Sequence, residues 1–328
     1  QVSFNSIKNA YSIDNKLVNS TLKPSNYKLI FDIYKGYSYE GVAFFNAAIT
    51  NNNKANFKES YATFKKAEAV SKYIYTNGWG LTETDTLNLY YFALSSIHAD
   101  NDNVAVLYCK RIADNRLFKN DKYKGYEQIY EWLAYYFKGK NEPEPLLKYT
   151  DIGNQVFPES RYFDENYIEW FTDQKDYSEL INRYEHLFTR GLATNDDKYA
   201  YLVVIFNYLP NTEETLKISL LNKFEKGIND YIIENPASAD AKLLYSKHLL
   251  NQAAALQRSF GSMPMNEQTY RALNDSVGVY LKKSNVYLKD IADNNTNADP
   301  ALYNNAIGLL VANYVFLGKT KEAKKYQA

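Results

Sequence analysis

The sequence predicts an all-α fold in which antiparallel helix pairs stack into a solenoid, and three observations lead to this prediction. Glycine and proline are scarce, at 13 and 8 of 328 residues, whereas tyrosine and phenylalanine number 32 and 17. Few turn-forming residues and many large aromatic side chains favour long helices packed on one another over a many-stranded sheet. No segment has a strong strand pattern. Apolar positions in the middle of the chain also recur at a fixed interval of 34 residues.

The recurring interval is clearest between two neighbouring stretches. Four residues of the first stretch align with residues 34 positions later: Leu133 with Tyr167, Phe137 with Phe171, Leu146 with Leu180, and Thr150 with Tyr184. An interval of this length accommodates two helices and the turn between them. Because one such pair cannot bury its apolar face alone, the repeat predicts that successive pairs cover one another.

The spacing resembles that of the tetratricopeptide repeat family over most of residues 40–328. Ala48 and Ala134 occupy the small-residue position of the first helix, and Ala323 occupies the alanine position of the second helix. Pro158 and Pro236 match the late proline of the family pattern. The resemblance implies a right-handed superhelix of about seven helix pairs, whose first helices line a concave groove.

The predicted units follow one another along the chain. Residues 1–36 indicate a helical N-terminal cap that covers the apolar face of the first repeat. The repeat domain covers residues 37–328, with units near 40–72, 85–118, 126–158, 160–194, 197–236, 238–294 and 300–328. The fifth unit stops before Asn235-Pro236, because the residue before a proline disfavours helical backbone. The last unit opens at Asp299-Pro300.

The last unit contains Gly318-Lys319-Thr320, which is also the ending of a phosphate-binding loop. Such a loop needs a glycine five residues before Gly318, and Asn313 stands there instead. The loop must also follow a buried strand, whereas this segment follows a predicted helix. Gly318 stands where the first helix of the unit must stop, and glycine adopts left-handed backbone there without a Cβ clash. We therefore predict a turn between two helices and no bound nucleotide.

Charge and cysteine content narrow the function classes. Lys and Arg number 38, as do Asp and Glu, so the formal net charge is zero and nothing attracts the whole chain to nucleic acid or an anionic membrane. The single cysteine, Cys109, excludes an internal disulfide and a thiolate zinc site. His98, His186 and His248 do not have metal-ligand spacing. We expect no catalytic residues, no metal and no cofactor.

The predicted first helices supply the candidate binding residues. In the register of the repeat, six residues point into the groove: Phe45, Ile49, Glu131, Tyr135, Glu165 and Glu169. Their mixture of aromatic and acidic groups indicates a peptide or another polar ligand. We expect a non-catalytic protein-binding or scaffolding module whose partner is a protein or peptide, with a glycan as a second partner class and no nucleic acid.

Two other functions stay open. One is a carbohydrate-binding helical protein of the bacterial cell envelope, similar in character to the SusD-like lipoproteins. It would be favoured if exposed side chains of Trp79, Trp132 or Trp170 grouped on one surface. The other is a helical-toroid hydrolase, which requires acidic side chains that converge on a central pocket.

The location of the protein is an expectation from its first residue and its hydropathy. The chain begins at Gln1 without an initiator methionine, which fits an exported periplasmic or cell-envelope protein after removal of a signal peptide. A cytoplasmic location is the alternative. The longest nearly apolar stretch, residues 306–317, is too short to span a bilayer, so we expect no transmembrane segment.

Overall fold

Helices make up the regular secondary structure of the residues that the computed structural model describes, which are 5–6, 8–9, 24–81, 85–118, 125–260, 266–294 and 299–327. The helices with assigned bounds are α1 (Pro24–Asn51), α2 (Lys54–Thr76), α3 (Thr86–His98), α4 (Asp102–Asp114), α5 (Tyr126–Gly139), α6 (Pro143–Val156), α7 (Tyr162–Gln174), α8 (Tyr177–Thr189), α9 (Asn195–Tyr208), α10 (Glu214–Glu234), α11 (Ala239–Phe260), α12 (Glu267–Asn294), α13 (Pro300–Phe316) and α14 (Thr320–Lys325). A 3₁₀ turn, Leu209–Asn211, follows α9. The predicted all-α class is confirmed.

The helices pack in the order in which they occur along the chain. The chain divides into two compact units, Gln1–Trp170 and Phe171–Ala328. In the first unit each helix from α1 to α5 packs on the next one, and α1 also touches α3, α3 touches α5, and α4 touches α6. In the second unit α8 to α14 follow the same rule, with α9 on α11 and α11 on α13. This nearest-neighbour packing of consecutive pairs confirms the predicted solenoid.

The division into a cap and a repeat domain stays a prediction. Residues 1–23 of the predicted cap, apart from 5, 6, 8 and 9, lie outside the described residues. Helix α1 runs without a break across residue 36, where the predicted cap ends. An isolated glycine such as Gly36 weakens a helix but does not end it when the neighbouring turns are held by packing.

Five turns in the described part of the chain share one geometry. In each of them a residue with positive φ follows the first helix of a pair: Asn52 (47°), Asp100 (56°), Asn141 (55°), Lys175 (55°) and Gly318 (70°). The N–H of the next residue then donates to the carbonyl oxygen five residues earlier, as from Asn53 to Ala48 at 3.0 Å and from Lys319 to Tyr314 at 2.8 Å. This is the Schellman motif that closes a helix C-terminus. The predicted turn at Gly318 is confirmed.

The 34-residue register matches the burial of the side chains. Of the eight aligned residues, Phe171 is half-buried and the other seven are buried. The small-residue positions Ala48, Ala134 and Ala323 are buried as well. The repeat therefore selects the side of each helix that packs against its neighbours.

A glycine permits the closest approach between α6 and α7. A Cβ built on Gly153 would lie 2.2 Å from Cε1 of Phe163, whose ring is fully buried. Next to this contact, Asn154 Nδ2 donates to Asp164 Oδ1 at 2.9 Å, and both side chains are buried. The packing of α6 against α7 therefore leaves no room for a residue larger than glycine at position 153.

One histidine is buried in the second unit. His248 is 2% exposed, its ring centroid lies 4.7 Å from that of Phe224, and its Nε2 lies 3.4 Å from Glu225 Oε1. Burial lowers the pKa of His248, and the nearby Glu225 carboxylate opposes that shift only in part. The ring is therefore held in its neutral form by its surroundings.

Replacing Gly153 by alanine is expected to lower the free energy of unfolding by about 1–3 kcal/mol, because the new methyl group overpacks the Phe163 ring. Gly36→Ala is the matched control in the same unit, since a Cβ on Gly36 meets no atom within 4 Å. The control should be neutral or stabilise the chain by up to about 1 kcal/mol. Urea unfolding followed by circular dichroism measures both, and equal effects would contradict the close approach.

Replacing Lys175 by glycine is expected to raise the free energy of unfolding by up to about 1 kcal/mol. Left-handed backbone strains a residue that has a Cβ, and glycine at position 175 relieves this strain. The larger conformational entropy of glycine in the unfolded chain reduces the gain. The reciprocal change in the same unit, Gly318→Lys, should lower the free energy of unfolding by a similar amount. Thermal unfolding measures both, and a destabilised Lys175→Gly variant would refute the explanation.

The free energy of unfolding should fall as the pH drops from about 7 through the ordinary histidine pKa of about 6.5. His248 has a lowered pKa in the fold, so in that window the unfolded chain binds more protons than the folded one. The decline should end below the folded pKa, with a slope for this residue of at most about 1.4 kcal/mol per pH unit. In His248→Gln this contribution should be lost. Denaturant titrations between pH 5 and 8 compare the two proteins, and identical pH profiles would count against a neutral buried ring.

Candidate binding surface

The two predicted groove residues of α1 have different environments. Phe45 is 6% exposed, and its ring centroid lies 5.5 Å from that of Phe57 and 5.2 Å from that of Tyr91. Phe45 is thus a core residue, because α2 and α3 both cover its side of α1. Ile49 is 60% exposed and lies in the last turn of the same helix.

The other four predicted residues lie on α5 and α7. Tyr135 is 68% exposed, Glu165 and Glu169 are exposed, and Glu131 is half-buried. We call the surface that they form with two further residues the α5/α7 face; its members are Glu131, Tyr135 and Lys138 on α5, and Tyr162, Glu165 and Glu169 on α7.

The helical period explains why these side chains share a surface. On α5 the members stand at positions 131, 135 and 138, and on α7 at 162, 165 and 169. Spacings of three and four residues form one stripe along a helix. Leu133 and Phe137 of α5 belong to the opposite stripe and are buried.

Two contacts join the helices across the α5/α7 face. The Tyr162 hydroxyl donates to the backbone carbonyl of Glu131 at 3.1 Å. The Lys138 ammonium pairs with the Glu169 carboxylate. Arg161 Nε also lies 3.0 Å from Glu165 Oε1, one helical turn apart. The face therefore has a fixed polar framework, with the Tyr135 ring standing free above it.

Glu131 is the electrostatically unusual member. Burial raises the pKa of its carboxyl, and the nearby Glu127 carboxylate raises it further. Within the part of the chain that the structure describes, no cation pairs with the Glu131 side chain. Burial also raises the pKa of the Tyr162 hydroxyl, and the Glu131 and Glu169 carboxylates add to the shift. Among the described residues, the negative charge at the Glu131 end of the face is thus not balanced by a cation.

A shallow concavity of about 540 Å³ lies at the other end of the face. It is lined by Tyr135, Tyr136, Lys138, Gly139, Lys140 and Glu169. Lys140 Nζ lies 5.5 Å from the Tyr136 ring centroid, and that ring stacks on Trp132 at 5.2 Å. Aromatic and charged groups therefore alternate along the surface.

Lys138 and Tyr162 are not among the groove residues that the sequence predicts. Lys138 follows Tyr135 by three residues, so helical spacing alone could have placed it on this surface. Tyr162 is the first residue of α7, and its hydroxyl reaches the backbone of another helix. A pattern within one helix does not reveal such a partner.

The three tryptophans do not form one platform within the described residues. Trp79 packs beside Tyr73, at 5.5 Å between ring centroids, in a cluster with Val70 and Ile74. Trp132 and Trp170 are half-buried against the main core of the first unit. The grouping that would favour the carbohydrate-binding alternative is therefore not seen.

Cys109 and His98 are the ionisable groups considered for chemistry, and each packs against neighbouring side chains. Cys109 is buried, and burial raises the pKa of its thiol. The His98 ring stacks on Phe57 at 4.6 Å, and burial lowers its pKa. Among the residues with described positions, no group of three or more His, Cys, Asp or Glu side chains is placed to hold a metal ion. None of the described helices has the length and hydropathy to cross a membrane.

Comparison with known proteins identifies no family. No family model matches the chain, and no curated protein matches it. One matching solved structure is a monomeric mutant of IFIT1 with Gppp-AAAA, at 11% sequence identity and a TM-score of 0.28. The match covers 99% of this chain and 85% of the IFIT1 chain. A TM-score this low transfers neither fold nor function from one chain to the other.

Proposed function

We propose that this chain is a non-catalytic binding module that holds a protein or peptide partner on the α5/α7 face. The observation that carries the proposal is the Glu131 carboxylate, which is half-buried, has a raised pKa and has no cation beside it in the described residues. A carboxylate in this state gains more from an incoming cation than a fully solvated one, because it has already lost part of its hydration.

The neighbouring Tyr135 ring indicates which other groups the partner carries. Tyr135 is 68% exposed and stands one helical turn after Glu131. A lysine or arginine that reaches Glu131 would lay its aliphatic stem along this ring, and the cation would interact with the face of the ring. A basic segment with aromatic or aliphatic neighbours is therefore the partner that fits.

The existing ion pairs support the choice of a basic partner. Lys138 already pairs with Glu169, and Arg161 already pairs with Glu165. Exposed pairs of this kind contribute little stability, but they neutralise the cations that would otherwise attract a phosphate. Glu127 and Glu131 remain as a negative pair, which disfavours nucleic acid on this surface.

The finer expectations from the sequence stay predictions. The non-catalytic assignment is part of the proposal, and an assay for glycosidase and peptidase activity on the purified chain would test it. Export to the periplasm or cell envelope is tested by fractionating the source cells and detecting the chain with an antibody.

A binding experiment tests the proposed partner. Purified chain is screened against fluorescent peptides of about a dozen residues that vary in basic and aromatic content. Basic peptides with an aromatic residue should bind, and Glu131→Gln and Tyr135→Ala should each weaken binding about tenfold, as truncation of interface anchors does. Affinity should also fall as the pH decreases through the raised pKa of Glu131, and this dependence should be absent in Glu131→Gln.

The matched controls are exposed residues of the same types elsewhere in the first unit. Glu59→Gln changes an exposed glutamate on α2, and Tyr39→Ala removes a ring on α1 that is 73% exposed. Neither should alter binding. A screen with no binder, or controls that weaken binding as much as the test variants, would refute the proposal.

A further inference from the structure

A cavity in the second unit lies between α8, α9 and α10. Its volume is about 220 Å³. Pockets for drug-sized molecules begin at about 300 Å³, so this cavity has room for a head group or a very small molecule. It is lined by Phe188 on α8, by Lys198, Tyr201 and Leu202 on α9, and by Gly227, Asp230, Tyr231 and Glu234 on α10.

Helical spacing brings the lining residues of α9 and α10 together. They stand at positions 198, 201 and 202 on one helix and at 227, 230, 231 and 234 on the other, so each set forms one stripe. Gly227 permits the close approach of the two stripes, because a Cβ there would lie 2.9 Å from Leu202 Cδ2. Leu202 is 2% exposed and Tyr201 is 9% exposed, so these two side chains form the bottom of the cavity.

Three aromatic rings contribute to the walls. The ring centroids of Phe188 and Tyr201 lie 5.0 Å apart with an angle of 89° between the planes, so this pair forms a corner. Tyr231 is the third ring and is half-buried, as Phe188 is. The Tyr201 hydroxyl donates to Glu185 Oε1 at 2.6 Å, which fixes the ring in place. The faces of aromatic rings attract cations, so a lining of this kind favours a positively charged group.

The charges of the lining have the same preference. Two carboxylates, Asp230 and Glu234, line the cavity together with a single ammonium, that of Lys198. Lys198 Nζ lies 2.8 Å from Glu234 Oε2, so the one cation is already paired. Asp230 is exposed at the opening, and among the described residues it has no ion pair. An incoming cation would therefore meet a carboxylate that it does not have to share.

The surroundings of Tyr231 extend this negative charge. Burial raises the pKa of its hydroxyl, the Asp196 and Asp240 carboxylates raise it further, and Lys198 opposes them. Carboxylates that disfavour a phenolate at this ring also favour a cation beside it. A phosphate or another anion would be repelled here.

The walls select the type of cation. A primary ammonium has three N–H donors and a guanidinium has five, and each donor needs an acceptor when it leaves water. Rings and the Leu202 side chain offer few acceptors inside the cavity. The methyl groups of a quaternary ammonium need none, and they pack against aromatic faces while the positive charge is retained.

From this arrangement we infer that the cavity between α8, α9 and α10 binds an N-methylated ammonium head group, such as that of choline or of trimethyllysine. Phe188, Tyr201 and Tyr231 contact the methyl groups, and Asp230 supplies the opposite charge at the opening. The site is independent of the α5/α7 face and of the function proposed for it.

Saturation-transfer NMR on the full chain tests this site, with choline and a peptide that contains trimethyllysine as the two sources of the head group. Each source has a matched comparison. For choline it is dimethylbutanol, which carries a tert-butyl group in place of the trimethylammonium group, and for the peptide it is the same sequence with unmodified lysine. At least one methylated probe should bind, and its comparison should bind about tenfold more weakly or not at all. The probe that binds identifies the ligand as a small molecule or a modified side chain.

Variants of the lining locate the binding, with affinities measured by isothermal titration. Tyr231→Leu should weaken binding about tenfold, because it keeps an apolar side chain and loses the ring, whereas Tyr231→Phe keeps the ring and should retain affinity. Asp230→Asn should weaken binding, and added salt should lower the affinity of this variant less than that of the native chain.

The matched controls are Tyr270→Leu and Asp275→Asn, which change an exposed tyrosine and an exposed aspartate on α12 of the same unit. Neither should alter binding. Thermal unfolding shows whether each variant folds, and Asp230→Asn changes an exposed position that a folding defect would affect least. The inference would be overturned if no methylated probe received saturation, if the comparisons bound equally well, or if folded Tyr231→Leu kept full affinity.

Discussion

The fold depends on the covering of each helix by its neighbours in the chain. Helices such as α5 and α8, with 14 and 13 residues, are close to the length at which an isolated helix is only marginally stable in water. Their apolar stripes supply the missing stability when the adjacent helix buries them. Position 153 shows how close this covering is, since one methyl group there would collide with the Phe163 ring. The surfaces that remain outside these contacts carry the polar and aromatic groups available for binding.

The sequence predicted the features that depend on local spacing. The 34-residue register identified buried positions such as Leu133 and Leu146, and glycine at 318 identified the last turn. The same turn at Lys175 has no sequence signal, because a residue with a Cβ adopts the left-handed conformation there within the same hydrogen-bonded turn. Phe45 and Ile49 are both apolar and lie one turn apart, and Phe45 is core because Phe57 and Tyr91 of two other helices cover it.

The surroundings of Asn88 on α3 could not be predicted for a related reason. Its side-chain amide donates to Tyr34 and Ser38, which precede it by 54 and 50 residues. An asparagine in a helix does not stand out in a sequence rich in that residue. Its Oδ1 atom becomes buried without a donor in the described residues only once α1 and α3 pack together. The α5/α7 face was easier to predict, because its acidic and aromatic side chains follow the helical period on two first helices.

The nearest-neighbour topology also governs how the chain acquires its structure. Within each unit the described helices pack on those one or two places away in order, so native contacts close short loops and the relative contact order is low. Little chain entropy is lost before a contact forms, so folding is fast for a protein of this length. Assembly can begin at any helix pair and spread to adjoining ones, and the polypeptide emerging from a ribosome can therefore gain structure hairpin by hairpin.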